Sequence, residues 1–211
     1  MSEHRQDKRV LLDDEDIERA AAELGLEPCI LKAVCLVESA GSGFLASGNP
    51  KILFEGHIFW KELEKRGIDP KQYSGRYPNI VYRKWDRSQY LGGEAEYGRL
   101  REASAINHDA ALCSASWGAF QIMGFNHELC GFATVTDYVE RQKESAAAQL
   151  EAFCAFVGAL NLIPALREKA WKKFAKAYNG PGYADNNYDT RLESAYAACV
   201  RAKDTDTVNT V

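Results

Sequence analysis

The stretch Cys35-Leu36-Val37-Glu38-Ser39-Ala40-Gly41-Ser42-Gly43-Phe44 decides how the chain is read, because a carboxylate there ends an almost wholly apolar run and a glycine-rich turn follows. Upstream, Ile30, Leu31, Val34 and Cys35 recur at the spacing of one helix face, and Leu36 and Val37 widen the apolar surface, so the spacing predicts a buried helix. A carboxylate at its end is partly desolvated. Desolvation disfavours the charged form and raises the pKa toward values that let a carboxylic acid donate a proton near neutral pH. Glu38 therefore reads either as a candidate catalytic acid or as an ordinary cap or ion-pair partner at a helix end. The stretch alone does not choose between them.

Length and composition narrow the field. The 211 residues suffice for one substantial core, and one domain is expected. A net charge of −4 gives no electrostatic reason to expect a nucleic-acid partner. The amino end, Met1 to Arg9, is charged throughout, without the apolar core of a secretory signal. No later run is long and apolar enough to span a membrane. The expectation is synthesis in a cytoplasm without a visible export signal. Cys29, Cys35, Cys113, Cys130, Cys154 and Cys199 are scattered singly, so they read as reduced packing residues. Cys113, His127 and Cys130 lack a fourth ligand, so no metal site is expected.

Outward from Glu38, Asp13 to Asp16 place carboxylates at a helix amino end, and Ile17, Ala20, Ala21 and Leu24 supply an apolar face ending at Gly25. Pro28 then opens the helix that carries Glu38. Lys51 to Trp60 is strand-like but interrupted by Glu55, Gly56 and His57, and a helix over 58–66 follows. An acid inside an apolar run needs a partner, so Glu55 is either a second active-site carboxylate or an inert buried pair. From Pro70 to Trp85, aromatic and basic residues alternate in a segment suited to lining a sugar-binding groove or to packing on the core. Ser88 to Ile106 reads as a helix despite Gly92 and Gly93. In Cys113 to Gly124, Gln121 is an amide among apolar and small residues, either within tight helix packing or on a cleft floor. Long helices are expected over Val135 to Ala159 and Pro164 to Tyr178, a last one over Tyr188 to Arg201, and a disordered tail from Lys203.

Four pieces stand in order along the chain: Val37-Glu38-Ser39, Phe54-Glu55-Gly56-His57, Ser116-Trp117-Gly118-Ala119-Phe120-Gln121-Ile122-Met123-Gly124 and Ala177-Tyr178-Asn179-Gly180. Together they resemble the lysozyme-like superfamily. Goose-type lysozymes and soluble lytic transglycosylases share part of the order, and the closer resemblance is to the N-acetylmuramidase domain of bacteriophage endolysins, over about residues 14–200.

This resemblance implies a mainly α, lysozyme-like α+β fold, with a small β-hairpin or sheet around residues 41–60 beside the cleft. It implies cleavage of the β-1,4 bond between N-acetylmuramic acid and N-acetylglucosamine in peptidoglycan, with Glu38 as general acid and no cofactor. Glu55 matches a second motif acid that orients water, stabilises charge or holds His57 and the turn. Ser39, His57, Ser116, Gln121, Tyr178 and Asn179 are carried as groove residues. With no room for a separate wall-binding domain, the expectation is a monomeric single-domain lysin without membrane insertion. Its access to periplasmic peptidoglycan would depend on a holin. A lytic transglycosylase forming anhydromuramic products and a non-catalytic wall-binding module are the competing readings. A peptidase or amidase is disfavoured, since neither a zinc-ligand set nor a Gly-x-Ser-x-Gly turn is present.

Overall fold

The computed structural model describes residues 10–39, 42–180 and 187–208, with side chains described through Lys203. The charged amino end, Ala40-Gly41 and residues 181–186 lie outside these residues.

Local signals set the first two helices. Helix α1 (Asp14–Leu24) starts where the Asp13 carboxylate accepts the Asp16 amide at 2.9 Å, and it ends where Gly25 turns left-handed at φ 61°. Helix α2 (Pro28–Glu38) has proline in its first turn and buries Ile30, Leu31 and Val34 completely or nearly so. Leu36 departs from the expected apolar face. It is 70% exposed, because one residue in each turn of a helix packed on several sides still points outward.

The next part of the chain builds the cleft. Strand β1 (Ile52–Phe54) is followed by α3 (Gly56–Lys65) and the short α4 (Lys71–Ser74). A 3-10 turn at Arg87–Gln89 precedes α5 (Ala95–Ile106) and α6 (His108–Cys113). Strands β2 (Ala115–Trp117) and β3 (Ile122–Met123) complete a three-stranded antiparallel sheet of order β1-β2-β3, with Ile52 opposite Trp117 and Ser116 opposite Met123. The fold is mainly α with a small sheet, as expected. Only β1 comes from the 41–60 region, and its partners come from residues 115–123. All three residues of β2 are buried, so they show no period-two alternation by which a sequence reveals a strand.

Four helices and a long last one close the core: α7 (Val135–Glu144), α8 (Ala146–Ala159), α9 (Ile163–Arg167), α10 (Trp171–Asn179) and α11 (Tyr188–Val208). Several expected helices are shorter. The one expected from Ser88 begins at Ala95, because Gly92 and Gly93 take positive φ. The one expected over Val135 to Ala159 breaks at Ser145, which is extended and caps α8 through its hydroxyl to the Ala148 amide. The one expected from Pro164 breaks near Lys169, at φ 55°. In the other direction, α11 continues through Val208 where a disordered tail was expected.

Aromatic residues fill the centre. Phe54, Phe59, Trp117, Tyr138, Phe153 and Phe174 are buried, each contributing about 1.5–3 kcal/mol of transfer free energy. Through this core runs one buried ion pair, Arg99 to Glu96 at 2.8 Å. The Glu96 carboxylate also accepts the amides of Phe54, Leu91 and Gly92, while Arg99 donates to the carbonyls of Phe54 and Asn79. Two side chains of α5 thus tie β1 to the chain at Asn79 and at Leu91-Gly92.

The cysteine expectation is corrected at one pair. Cys29 and Cys199 form a disulfide with a Cα–Cα distance of 5.6 Å, while Cys35, Cys113, Cys130 and Cys154 are free thiols. The two bridged residues are 170 positions apart, and only the packing of α11 on α2 brings them together. At the other end of the same helix pair, Arg191 donates to the Val37 carbonyl at 3.4 Å. An early residue of α2 meets a late residue of α11 and the reverse, so the two helices run antiparallel.

Candidate active site

Glu38 stands on the last residue of α2, half-buried, and lines a cleft of about 440 Å3. Leu45, Ile52 and Leu53 supply apolar wall, and Lys51 and Gln121 are polar. Such a lining suits a sugar, whose ring faces are apolar and whose edges are hydroxyls. Burial pushes the Glu38 carboxyl above its ordinary value. The Asn179 amide, donating to Oε1 at 3.0 Å, and the Arg191 charge act against that rise. A carboxyl raised by burial holds its proton to a higher pH than an exposed one, a property that general acid chemistry requires.

The remaining motif residues divide by what they touch. Asn179 ends α10 and meets Glu38 directly. Gln121 lines the cleft at φ 49°, its amide donating to the Gly118 carbonyl at 2.8 Å while its oxygen accepts from Ser116 Oγ at 2.8 Å. Together Gln121 and Ser116 brace the turn between β2 and β3. The same turn is held from behind by Gln149 of α8, whose side-chain oxygen accepts the Ala119 amide at 2.8 Å. Gly43 must be glycine at this junction, since a Cβ there would stand 2.0 Å from Gln149 Oε1 and 2.6 Å from the Ala119 nitrogen. Tyr178 turns away from the cleft: its hydroxyl donates to the Phe120 carbonyl and its ring stacks on Phe174. Burial first, and then the nearby Glu38 carboxylate, hold its phenol well above the ordinary range. Ser39 caps α2, its hydroxyl and amide both returning to the Cys35 carbonyl.

Glu55 and His57 flank the start of α3 and are not among the residues lining the cleft around Glu38. Glu55 accepts the Tyr90 hydroxyl at 2.5 Å. His57 Nδ1 lies 3.2 Å from the same carboxylate without hydrogen-bonding geometry, and burial lowers its pKa, favouring the neutral ring. Between them Gly56 lets the 80–82 loop approach, since a Cβ there would meet Tyr82 at 2.2 Å. In the aromatic segment, Tyr73 and Tyr77 pack on the core, and the Tyr82 hydroxyl oxygen accepts the Gly56 amide. No residue of 70–85 lines the Glu38 cleft.

A larger groove of about 760 Å3 runs between α1, α2, α8 and α11. Its wall is mostly alanine, leucine and cysteine, and the Asp14 carboxylate on it is paired with Lys32 at 2.7 Å. Chemistry rather than size therefore selects the smaller cleft. Among the described residues no cluster of histidine, cysteine and carboxylate side chains could hold a metal ion.

Sequence reasoning passed over Tyr90, Gln149 and Arg191. Tyr90 and Arg191 lie in polar surroundings, and Gln149 is a single amide in an apolar helix, a signal of the same kind as Gln121.

A mainly helical fold with a small antiparallel sheet, and a helix-end acid sharing a cleft with the first strand, is of the lysozyme-like class. Residues 27–200 match the N-acetylmuramidase family, and the chain belongs to it, the family of bacteriophage endolysins that the sequence motifs implied. It is a peptidoglycan-cleaving enzyme. The crystal structure of the Burkholderia AP3 phage endolysin is similar, with a TM-score of 0.86 and 44% identity over 96% of this chain and 75% of that one. No curated protein matches the chain.

Proposed function

We propose that the chain is an endolysin that hydrolyses the β-1,4 bond between N-acetylmuramic acid and N-acetylglucosamine, with Glu38 as general acid. The observation that carries this reading is the half-buried Glu38 carboxyl in the cleft, raised by burial and oriented by Asn179. An acetal oxygen leaves poorly unless protonated, and a desolvated acid delivers the proton as positive charge develops on the sugar ring. Gln121, which lines the same cleft, is a polar group for the sugar to meet. Glu55 enters as a supporting carboxylate that holds Tyr90, and with it the 90–93 loop, whose Gly93 lines the cleft. The enzyme acts as a monomer, is made in the cytoplasm and reaches periplasmic peptidoglycan after holin release.

The test is turbidity loss of outer-membrane-permeabilised cells with wild type and Glu38→Gln, joined to mass spectrometry of the products. Loss of about 10²–10⁴ in rate and reducing muramic ends are expected. Equal lysis by both proteins would remove Glu38 from the mechanism, and anhydromuramic ends in every product would replace hydrolysis with transglycosylation.

A further inference from the structure

We propose that Arg191 is a positioning residue for Glu38, and that α11 is the strap that carries it onto the end of α2. This rests on Glu38 being the acid.

Helix α2 has no basic residue in its last turn, so nothing on the helix itself answers the partial negative charge of its final carbonyls. Arg191 supplies that charge from α11, with its Nη2 3.4 Å from the carbonyl of Val37, the residue preceding Glu38. Its guanidinium is held in place over the Tyr188 ring at 5.4 Å. At the far end of the pair, the Cys29–Cys199 bridge prevents α11 from lifting away. The strap is thus fixed covalently at one end and by a charge-assisted contact at the other, next to the acid.

The groups around Glu38 are few. From α10 come the neutral Asn179 amide and the Tyr178 phenol, which the Cys35 thiol of α2 also approaches, and from α11 Arg191. Among the described residues the other charged side chain on the cleft wall is Lys51, next to β1. Tyr178 and Cys35 are neutral at moderate pH, because burial raises both. The Arg191 charge therefore opposes the burial effect and keeps the acid strong enough to donate.

The experiment compares pH–rate profiles of lysis for wild type, Arg191→Gln and Arg191→Lys, with Glu38→Gln as control. A general acid must be protonated, so activity falls as pH rises through its pKa. Removing the charge raises that pKa and moves the alkaline limb upward. One pH unit above the wild-type midpoint, Arg191→Gln should retain at least about twofold more of its own plateau rate than wild type does. Arg191→Lys should keep the wild-type limb. An unmoved limb in Arg191→Gln, with Glu38→Gln inactive, overturns the inference and leaves the functional reading standing. An active Glu38→Gln overturns the functional reading itself. Carboxyl 13C titration of Glu38 in the same variants gives the same decision without activity, and Arg191→Met replaces Arg191→Gln if that variant does not fold.

Discussion

Replacing Glu96 by glutamine removes one charge from a place where water cannot compensate for it. Arg99 is 2% exposed, and its ion pair is with Glu96. Breaking a buried pair from one side costs about 3–5 kcal/mol, because the surviving ion stays buried. Glutamine also presents an amide where a carboxylate oxygen accepts the Leu91 and Gly92 amides, or where it accepts Phe54 and Arg99. For a chain of this length each kcal/mol lowers the Tm by about 2–4 °C, so Glu96→Gln should melt about 6–20 °C below wild type by calorimetry. Buried pairs can often be exchanged for apolar residues at little cost, but this one satisfies three backbone amides and two backbone carbonyls. The double variant Glu96→Leu with Arg99→Met should therefore recover little, since each orphaned backbone group costs about 1–3 kcal/mol. A Glu96→Gln protein melting within about 2 °C of wild type would refute the reasoning. A double variant restored to wild-type stability would refute the part that rests on the backbone groups.

Other perturbations act through different physics. Reducing the Cys29–Cys199 bridge, or replacing Cys199 by serine, frees a 170-residue separation in the unfolded chain; on the chain-entropy account this costs about 5 kcal/mol, read as a lower Tm in reductant. Gly43→Ala pushes a methyl group into Gln149 and the Ala119 backbone, and should cost about 1–3 kcal/mol and slow lysis by displacing the β2–β3 turn. Glu38 binds its proton more tightly folded than unfolded, so its contribution to stability is present below the ordinary glutamate value of 4.5 and declines as pH rises through the raised folded value. Glu38→Gln should match wild type in strongly acidic melts and exceed it at neutral pH; equal melts at both pH values would contradict the burial of that charge.

What the sequence disclosed was whatever local chemistry records. The caps at Asp13 and Gly25, the proline opening α2 and the acid closing it all lie within a few residues of their effects, and the helices they bound were legible. The sheet was half legible, because β2 and β3 are two or three residues long and mostly buried. Glu96 and Arg99 are three residues apart on a helix, a spacing that solvated surface pairs share; only the β1 and loop backbones that surround them make the pair structural. Of the motif residues, Asn179 meets Glu38 and Gln121 lines the same cleft, while Tyr178 and Ser39 make contacts to the backbone around them. Arg191 left no trace in sequence, since a single arginine on a helix of mixed polar and apolar residues is indistinguishable from its surface neighbours until the helix is docked.

The Cys29–Cys199 bond gives the molecule a covalent topology of its own: a ring running from residue 29 to residue 199, with two tails. One peptide bond hydrolysed anywhere inside that ring opens it without releasing a fragment. A protease cutting at the exposed Trp85 segment would leave α2 and α11 on one covalent molecule, separable only after reduction. An enzyme organised in this way can be nicked and still keep its acid and the helix behind it together.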